Sequence, residues 1–249
     1  MEEEKEFYFK TQNLSVGYNR KPILENISLG VYKGQILTLI GPNGSGKSTI
    51  LKNLIREMSP LGGVVVLEGK DINNYSSKNF AKQMSVVLTE KVKTELLTCR
   101  DVVAMGRYPY TGKFGVLSKE DWKLVDEAME LVHIHELADR DFSKTSDGQK
   151  QRVMLARAIC QQPDIIILDE PTVGLDPIQI IEIRNLVKEL GKRHTVIFSS
   201  HILSEVQTIC DKILIISKGT LTALGTPAEL ERQLRSAGEI VLTTDAPVG

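Results

Sequence analysis

The chain has 249 residues, of which 41% are hydrophobic, so it can bury a substantial core without disulfide bonds or metal ions. Its 31 Lys and Arg nearly balance its 32 Asp and Glu, which excludes the basic excess typical of nucleic-acid-binding proteins. Three cysteines without a CxxC pair favour a reducing compartment and indicate no metal site. The acidic start is unlike a signal peptide, and no apolar run approaches the roughly 18 residues of a spanning helix. We therefore expect any membrane association to pass through another chain.

The first 94 residues predict short strands, turns and one helix. The segments "FYFKTQNLSVGY" and "NISLGVYKGQILTLIG" alternate in polarity and are rich in β-branched residues, as strands are. A helix is predicted over "KSTILKNLIREM", followed by strands over "GGVVVLEGKDI" and "QMSVVLTE".

Residues 95–160 predict an all-helical insert. The helical segments are "TCRDVVAMGR", "SKEDWKLVDEAMELV" and "KTSDGQKQRVMLARAI". Ser118 followed by Asp121 three positions later predicts a capping box at the start of the second.

After residue 160, strands and helices alternate. The strands are "DIIILDE", "HTVIFSS" and "KILIISKG", and the helices are "PIQIIEIRNLVKELG", "ILSEVQTIC" and "TPAELERQL". Apolar strands separated by helices predict a parallel sheet that is covered on both faces. The ending "GEIVLTTDAPVG" predicts a strand without a partner, and we expect the chain to be truncated there.

A phosphate-binding loop is predicted in "LTLIGPNGSGKSTILKNLI", where GxxxxGKS follows an apolar strand and precedes a helix. The glycines allow backbone N–H groups to surround an anion, Lys47 supplies a positive charge, and the Ser48 hydroxyl is a ligand for Mg²⁺. The bland alternative is a glycine-rich turn, but the strand and helix on either side favour a nucleotide site.

Two carboxylates stand at the end of the apolar strand "IIILDE", and ligands bind at the carboxyl ends of strands in such sheets. Asp169 is predicted to hold Mg²⁺, and Glu170, on the opposite side of the strand, to polarise an attacking water. The alternative is a pair that caps the next helix, which the phosphate loop makes the weaker interpretation.

These segments resemble the ATP-binding cassette family over almost the whole chain. "GPNGSGKST" is similar to its Walker A motif, "IIILDE" to its Walker B motif, "GLDP" to its D-loop, and "SSH" to the segment of its switch histidine. The resemblance implies an α/β fold with a P-loop NTPase core and mostly parallel sheet, an N-terminal antiparallel β subdomain and a helical insert. It also implies one domain over 1–249, with the core in 1–94 and 161–249 and a helical signature subdomain in 95–160.

The same resemblance implies an ATPase that uses ATP and Mg²⁺. Its implied catalytic residues are Glu170, His201 and Lys47, and its implied metal ligands are Ser48, Asp169 and Glu90. The nucleotide would be bound by Tyr18, which would stack on adenine, and by Gly41, Pro42, Asn43, Gly44, Ser45, Gly46, Lys47, Ser48, Thr49, Ser146, Gly148, Gln149 and Asp176.

The segment "TSDGQ" falls on the family signature Leu-Ser-Gly-Gly-Gln, with Thr145 and Asp147 as departures. In this family the signature contacts ATP bound to a second copy, so the resemblance implies a homodimer in the ATP-bound state. A carboxylate about 7 Å from a phosphate charge would be repelled by roughly 2 kcal/mol. We therefore expect Asp147 to cap its own helix while Ser146 binds the phosphate.

A second departure is Glu90, at a strand end where the family places Gln. A carboxylate is a competent Mg²⁺ ligand, but it adds negative charge to a site already rich in it. Thr89 is the rival alignment for this position.

The resemblance leaves the transported solute open. "VVAMGRYPYTGKFG", residues 102–115, is similar to ATPases for siderophore, haem and cobalamin uptake, where it would meet a membrane subunit. The alternative is local packing of Tyr108, Tyr110 and Phe114. From Gly174 onward the chain looks more like drug or antibiotic exporters.

We favour the importer, with two integral membrane permease subunits, a substrate-binding protein and a location at the cytoplasmic face of the membrane. The other hypotheses are an exporter ATPase, a soluble cassette ATPase outside transport and a non-hydrolysing ATP sensor.

Overall fold

The computed structural model describes residues 6–88, 96–217 and 219–236. Its strands are β1 (Phe9–Tyr18), β2 (Lys21–Val31), β3 (Ile36–Ile40), β4 (Gly62–Leu67), β5 (Lys70–Asp71), β6 (Met84–Val87), β7 (Ile165–Leu168), β8 (Thr195–Ser200), β9 (Lys212–Ser217) and β10 (Thr220–Gly225). Its α-helices are α1 (Lys47–Leu54), α2 (Ser77–Gln83), α3 (Cys99–Ala104), α4 (Lys119–Leu131), α5 (Asp147–Cys160), α6 (Pro177–Gly191), α7 (Leu203–Val206) and α8 (Pro227–Ser236).

The strands form two sheets, as the predicted fold class requires. The first is antiparallel, with the order β2-β1-β4-β5. The second has the order β10-β9-β3-β8-β7-β6, and its neighbouring strands from β9 to β6 run parallel. The α/β fold class is therefore confirmed, with a mostly parallel sheet and an antiparallel N-terminal one.

Strand β7 shows how the second sheet is covered on both faces. Ile165 and Ile167 pack in a cluster with α1 and the first sheet, whereas Ile166 and Leu168 pack in a second cluster with the helices of the chain's middle part. All four side chains are fully buried. Because side chains alternate across a strand, a continuous apolar run is what a strand buried on both faces requires.

Among the described residues of 96–160, the regular elements are α3, α4 and α5 together with short 3-10 helices, the longest over Met105–Tyr110. The predicted capping box of α4 is confirmed: the Ser118 hydroxyl accepts from the Asp121 N–H, and the Asp121 carboxylate accepts from the Ser118 N–H. The single helix predicted over "TCRDVVAMGR" is instead α3 followed by a 3-10 turn. Pro109 lies inside this turn and has no N–H to continue an α-helix.

Strand β10 was not predicted. It pairs antiparallel with β9 at the edge of the second sheet, and its exposure alternates along the strand. Its sequence "TLTALG" is short, so tertiary pairing rather than a strong apolar pattern fixes it as a strand.

The three cysteines are buried and free. Burial raises the pKa of the Cys160 thiol to about 12, and burial also raises the pKa of the other two thiols. Burial with a raised pKa is typical of thiols that serve as packing residues. No described helix combines the length and apolar composition that a membrane crossing requires.

Candidate functional site

The phosphate loop joins β3 to α1. Gly44 and Gly46 have φ of 79° and 102°, a backbone conformation that favours glycine. The Lys47 side chain folds back over the loop, where its ammonium donates to the carbonyls of Gly41 at 2.8 Å and Pro42 at 3.2 Å. Lys47 is only 4% exposed, so a positive charge is fixed beside the N-terminus of α1. Such an arrangement suits a phosphate group.

The two carboxylates follow β7 and reach the phosphate loop by separate contacts. The Ser48 hydroxyl donates to Asp169 Oδ1 at 3.2 Å. Glu170 Oε1 lies 3.1 Å from Lys47 Nζ, and Glu170 Oε2 lies 3.8 Å from Nδ1 of His201. The structure therefore brings the three predicted catalytic side chains together, with Glu170 between Lys47 and His201.

Ser199 is a residue of this site that the sequence analysis missed. Its hydroxyl donates to Asp169 Oδ1 at 2.6 Å and accepts from the Glu170 N–H at 2.9 Å. Its side chain is fully buried. The available signal was its position in "SSH", two residues before the predicted switch histidine, but serines are common in strands and the contact depends on which strand lies beside β8.

An open pocket of about 540 Å³ lies over the phosphate loop. Tyr18, at the end of β1, is half exposed at one side of it, with its hydroxyl 3.5 Å from the Thr49 hydroxyl. The pocket therefore has room for a nucleotide whose adenine or other nucleobase lies against the tyrosine ring and whose phosphates reach the loop. The described residues that line it are Tyr18, Ile23, Asn43, Gly44, Gly46, Lys47, Ser48, Thr49, Lys52, Leu88, Asp169 and Glu170.

The residues at the pocket fit Mg·ATP. The Ser48 hydroxyl and the Asp169 carboxylate are hard oxygen donors in contact with each other, as Mg²⁺ prefers. Ser45 is 5% exposed, and its hydroxyl has no hydrogen-bond partner among the described residues. An unpartnered buried hydroxyl within a loop of N–H groups is a further donor available to a phosphate oxygen.

The expectation that Asp147 caps α5 is wrong. Ser146 is the N-cap: its hydroxyl accepts from the Gln149 N–H at 3.2 Å, and the Gln149 side chain accepts from the Ser146 N–H at 3.1 Å. Asp147 is the first residue of the helix, where its negative charge favours the helix N-terminus without occupying the cap position. The physical reason is that Ser with Gln three residues later completes a reciprocal capping box.

The signature residues are not among the described residues that line the pocket. They lie instead beside the N-terminus of α6, because a Cβ added at Gly148 would approach the Gln179 carboxamide within 2.6 Å. The N-cap of α6 is Asp176, whose carboxylate accepts from the Gln179 N–H at 2.9 Å. Gly148 thus lies beside the first turn of α6, and neither it, Ser146 nor Gln149 lines the pocket over the phosphate loop.

The predicted metal ligand Glu90 and its rival Thr89 lie outside the described residues, as does the strand expected at the chain's end. The metal ligand and the terminal strand therefore stay predictions from the sequence.

The aromatic residues of segment 102–115 differ in exposure: one packs against a buried residue and two lie at the surface. The Arg107 guanidinium is buried, donates to Asp121 at 2.8 Å and to the Cys160 carbonyl at 2.8 Å, and lies 3.9 Å from the Tyr110 ring centre. Tyr108 is 58% exposed and Phe114 is 93% exposed. Local packing therefore accounts for Tyr110 alone.

Comparison with known proteins agrees with this geometry. The family model described as ABC transporter matches residues 24–173. An uncharacterized ABC transporter ATP-binding protein of Methanocaldococcus jannaschii is 41% identical over 90% of this chain and 78% of its own length. The iron(3+)-hydroxamate import ATP-binding protein of Bacillus subtilis is 37% identical over 88% of this chain and 82% of its own length.

A relative named for achromobactin transport in Dickeya dadantii and one named for ferric enterobactin transport in Escherichia coli are each 34% identical over 88% of this chain and 82% of their own length. Among solved structures, a dimeric ATP-binding cassette in a post-hydrolysis state, bound to ADP and Pi, has a TM-score of 0.77 and 25% identity. The alignment covers 88% of this chain and 98% of that one. The chain therefore belongs to the ABC transporter family, as an ATP-binding ATPase subunit.

Proposed function

We propose that the chain hydrolyses Mg·ATP in the pocket over its phosphate loop and so powers the uptake of an iron chelate through a membrane permease. The observation that carries the proposal is the contact of Glu170 with both Lys47 and His201. This contact joins a cation suited to phosphate, a carboxylate and a histidine at the edge of the second sheet where β7 and β8 end.

Each group has a role that its position supports. Lys47 and the loop N–H groups hold the β- and γ-phosphates, and Tyr18 stacks on the adenine. Ser48 and Asp169 would hold Mg²⁺, with Glu90 as a further predicted ligand, and a bound ion would supply positive charge to neutralise the phosphates. Glu170 accepts a proton from the attacking water, and His201 orients the γ-phosphate.

We further propose that two copies of the chain complete each site. The signature of one copy, on the insert 95–160, would face the γ-phosphate held by the core of the other copy, in 1–94 and 161–249. The location of Ser146 and Gly148 outside the pocket of their own chain supports this arrangement. The solved dimer bound to ADP and Pi supports it as well.

The transport partner is proposed to be a pair of permease subunits at the cytoplasmic face of the membrane, served by a substrate-binding protein. Tyr108 and Phe114 offer exposed aromatic surface on the segment that resembles importer ATPases. The relatives named for hydroxamate and enterobactin transport support an iron chelate as the solute. The exporter resemblance after Gly174 keeps an exporter as the second candidate.

The test is reconstitution in liposomes with the permeases encoded beside the chain's gene, using a ferric hydroxamate loaded with radioactive iron. An importer moves the chelate into the compartment that contains this chain, and only when ATP is added there. Movement out of that compartment would establish the exporter. Failure of the chain to co-purify with any permease would reject the transport role.

A further inference from the structure

The Ser199 hydroxyl contacts both carboxylate residues of the site at once. A serine hydroxyl has one hydrogen to donate and two lone pairs to accept with. Here the hydrogen is given to Asp169 Oδ1 at 2.6 Å, and one lone pair accepts the Glu170 N–H at 2.9 Å. The short distance to Asp169 is typical of a bond to a charged acceptor. One buried side chain thereby joins the two consecutive acids.

The contact to Glu170 comes where β7 ends. The Asp169 N–H still donates to the Val87 carbonyl of the neighbouring strand, at 2.8 Å, but the next N–H, that of Glu170, donates to the Ser199 side chain instead. Glu170 has a φ of 47°, a left-handed conformation that is uncommon for a non-glycine residue and that a restraint from neighbouring groups favours. The hydrogen bond from the Glu170 N–H to the Ser199 hydroxyl is such a restraint. It fixes the backbone that determines the direction of the Glu170 side chain.

The neighbouring serine has different contacts. The Ser200 hydroxyl accepts from the Ile202 N–H at 3.0 Å and so shapes the turn after β8. Consecutive side chains of a strand point to opposite faces, so only one of the two serines can face Asp169.

We propose that Ser199 is a positioning residue for ATP hydrolysis, which holds Asp169 in place to bind the metal and Glu170 in place to activate water. The inference rests on the proposed function, because it concerns the geometry of that same site. It predicts loss of the chemical step and of metal affinity when the hydroxyl is removed, with nucleotide binding retained.

The test compares Ser199→Ala with Ser199→Thr, which keeps a hydroxyl, and with Ser85→Ala. Ser85 is a matched control because it is buried on β6, in the same sheet, and its hydroxyl has no hydrogen-bond partner among the described residues. Ser199→Ala should lower kcat by about tenfold or more, as loss of a group that orients a ligand does. KM for ATP should change by less than about threefold, and Ser85→Ala should hydrolyse at the parent rate.

A second readout does not depend on turnover. Mn²⁺ binding, measured by electron paramagnetic resonance with a non-hydrolysable ATP analogue, should weaken by about tenfold in Ser199→Ala and recover in Ser199→Thr. Binding of the analogue without a divalent metal should stay within about twofold in all three variants. Unchanged Mn²⁺ affinity in a folded Ser199→Ala would overturn the inference.

A double-mutant cycle locates the effect at Glu170. When Glu170→Gln has already removed the base, adding Ser199→Ala should lower the residual rate, measured at saturating Mg²⁺, by less than about twofold. Full multiplication of the two single losses would overturn the claim that Ser199 acts through Glu170. If Glu170→Gln alone keeps the parent rate, the proposed function fails first. If Glu170→Gln loses activity and Ser199→Ala does not, the inference about Ser199 fails while the proposed function stands.

Discussion

Lys47 and Glu170 form an ion pair of 3.1 Å inside the site, between an ammonium that is 4% exposed and a carboxylate that is 16% exposed. An ammonium has three hydrogens to donate, and here they meet Glu170 and the carbonyls of Gly41 and Pro42. Of these three acceptors, Glu170 is the charged one. We therefore expect a phosphate oxygen that binds Lys47 to compete with Glu170 and so to free that carboxylate to contact water.

Glu170→Gln should separate nucleotide binding from hydrolysis. The amide keeps the shape of the side chain but cannot act as a base, so turnover should fall by roughly 10² to 10⁴. ATP affinity should rise, because the carboxylate that competes for Lys47 is gone. Uncleaved ATP should hold two copies together, which size-exclusion chromatography with light scattering would show with ATP and not with ADP. A monomer that still hydrolyses ATP at the parent rate would contradict both the base and the shared site.

Lys47→Ala should abolish tight binding of Mg·ATP, because it removes the buried cation that meets the phosphates. Isothermal titration of the monomer measures this directly. Lys123→Ala is the control, since Lys123 is an exposed residue of α4 whose ammonium lies 3.6 Å from the Glu127 carboxylate, and its loss should leave ATP affinity unchanged. Unchanged affinity in Lys47→Ala would reject the phosphate-loop assignment.

Ser146→Arg should block turnover while the monomer still binds ATP, because it places bulk on a surface that, in the proposed function, is used only between copies. It also removes an N-cap, which costs about 1 kcal/mol and lowers the melting temperature by roughly 2–4 °C. Ser118→Arg is the matched control, because it removes the capping box of α4 at a similar cost in stability. The ATPase rate of Ser118→Arg should equal that of the parent. Loss of ATP binding by monomeric Ser146→Arg would mean that the signature acts on its own chain's nucleotide.

Asp121→Asn should destabilise the fold in a pH-dependent way. Hydrogen bonds from the Ser118 hydroxyl, then from the Ser118 N–H and the Arg107 guanidinium, lower the pKa of the Asp121 carboxyl. A lowered pKa stabilises the folded state above the unfolded pKa of about 3.9, and this stabilisation is lost as pH falls through the folded value. The variant should therefore lose about 1–3 kcal/mol near neutral pH, and the difference should shrink below about pH 4.

Urea unfolding across this pH range measures that difference. Glu127→Gln provides the comparison, because Glu127 is an exposed carboxylate on the same helix and its removal should cost little at any pH. A difference between Asp121→Asn and the parent that stays constant down to about pH 2 would contradict the role of the charged carboxyl.

The sequence by itself determined the features that depend on neighbours a few residues apart. The capping box of Ser118 and Asp121, the helix Pro177–Gly191 and the alternation of apolar strands with helices follow from local hydrogen bonding and periodicity. The order of motifs along the chain then indicated the family, which the comparisons confirm. Even locally one choice was wrong, since Ser146 and not Asp147 caps α5.

Only the tertiary structure decided which distant groups meet. Ser199 lies 30 residues from Asp169, and it touches that carboxylate because β8 is the neighbour of β7 in the sheet. The same holds for Glu170, which lies between Lys47 and His201 because β7 and the phosphate loop end at one edge. Strand order is set by the packing of the whole sheet, so no local pattern of residues encodes these contacts.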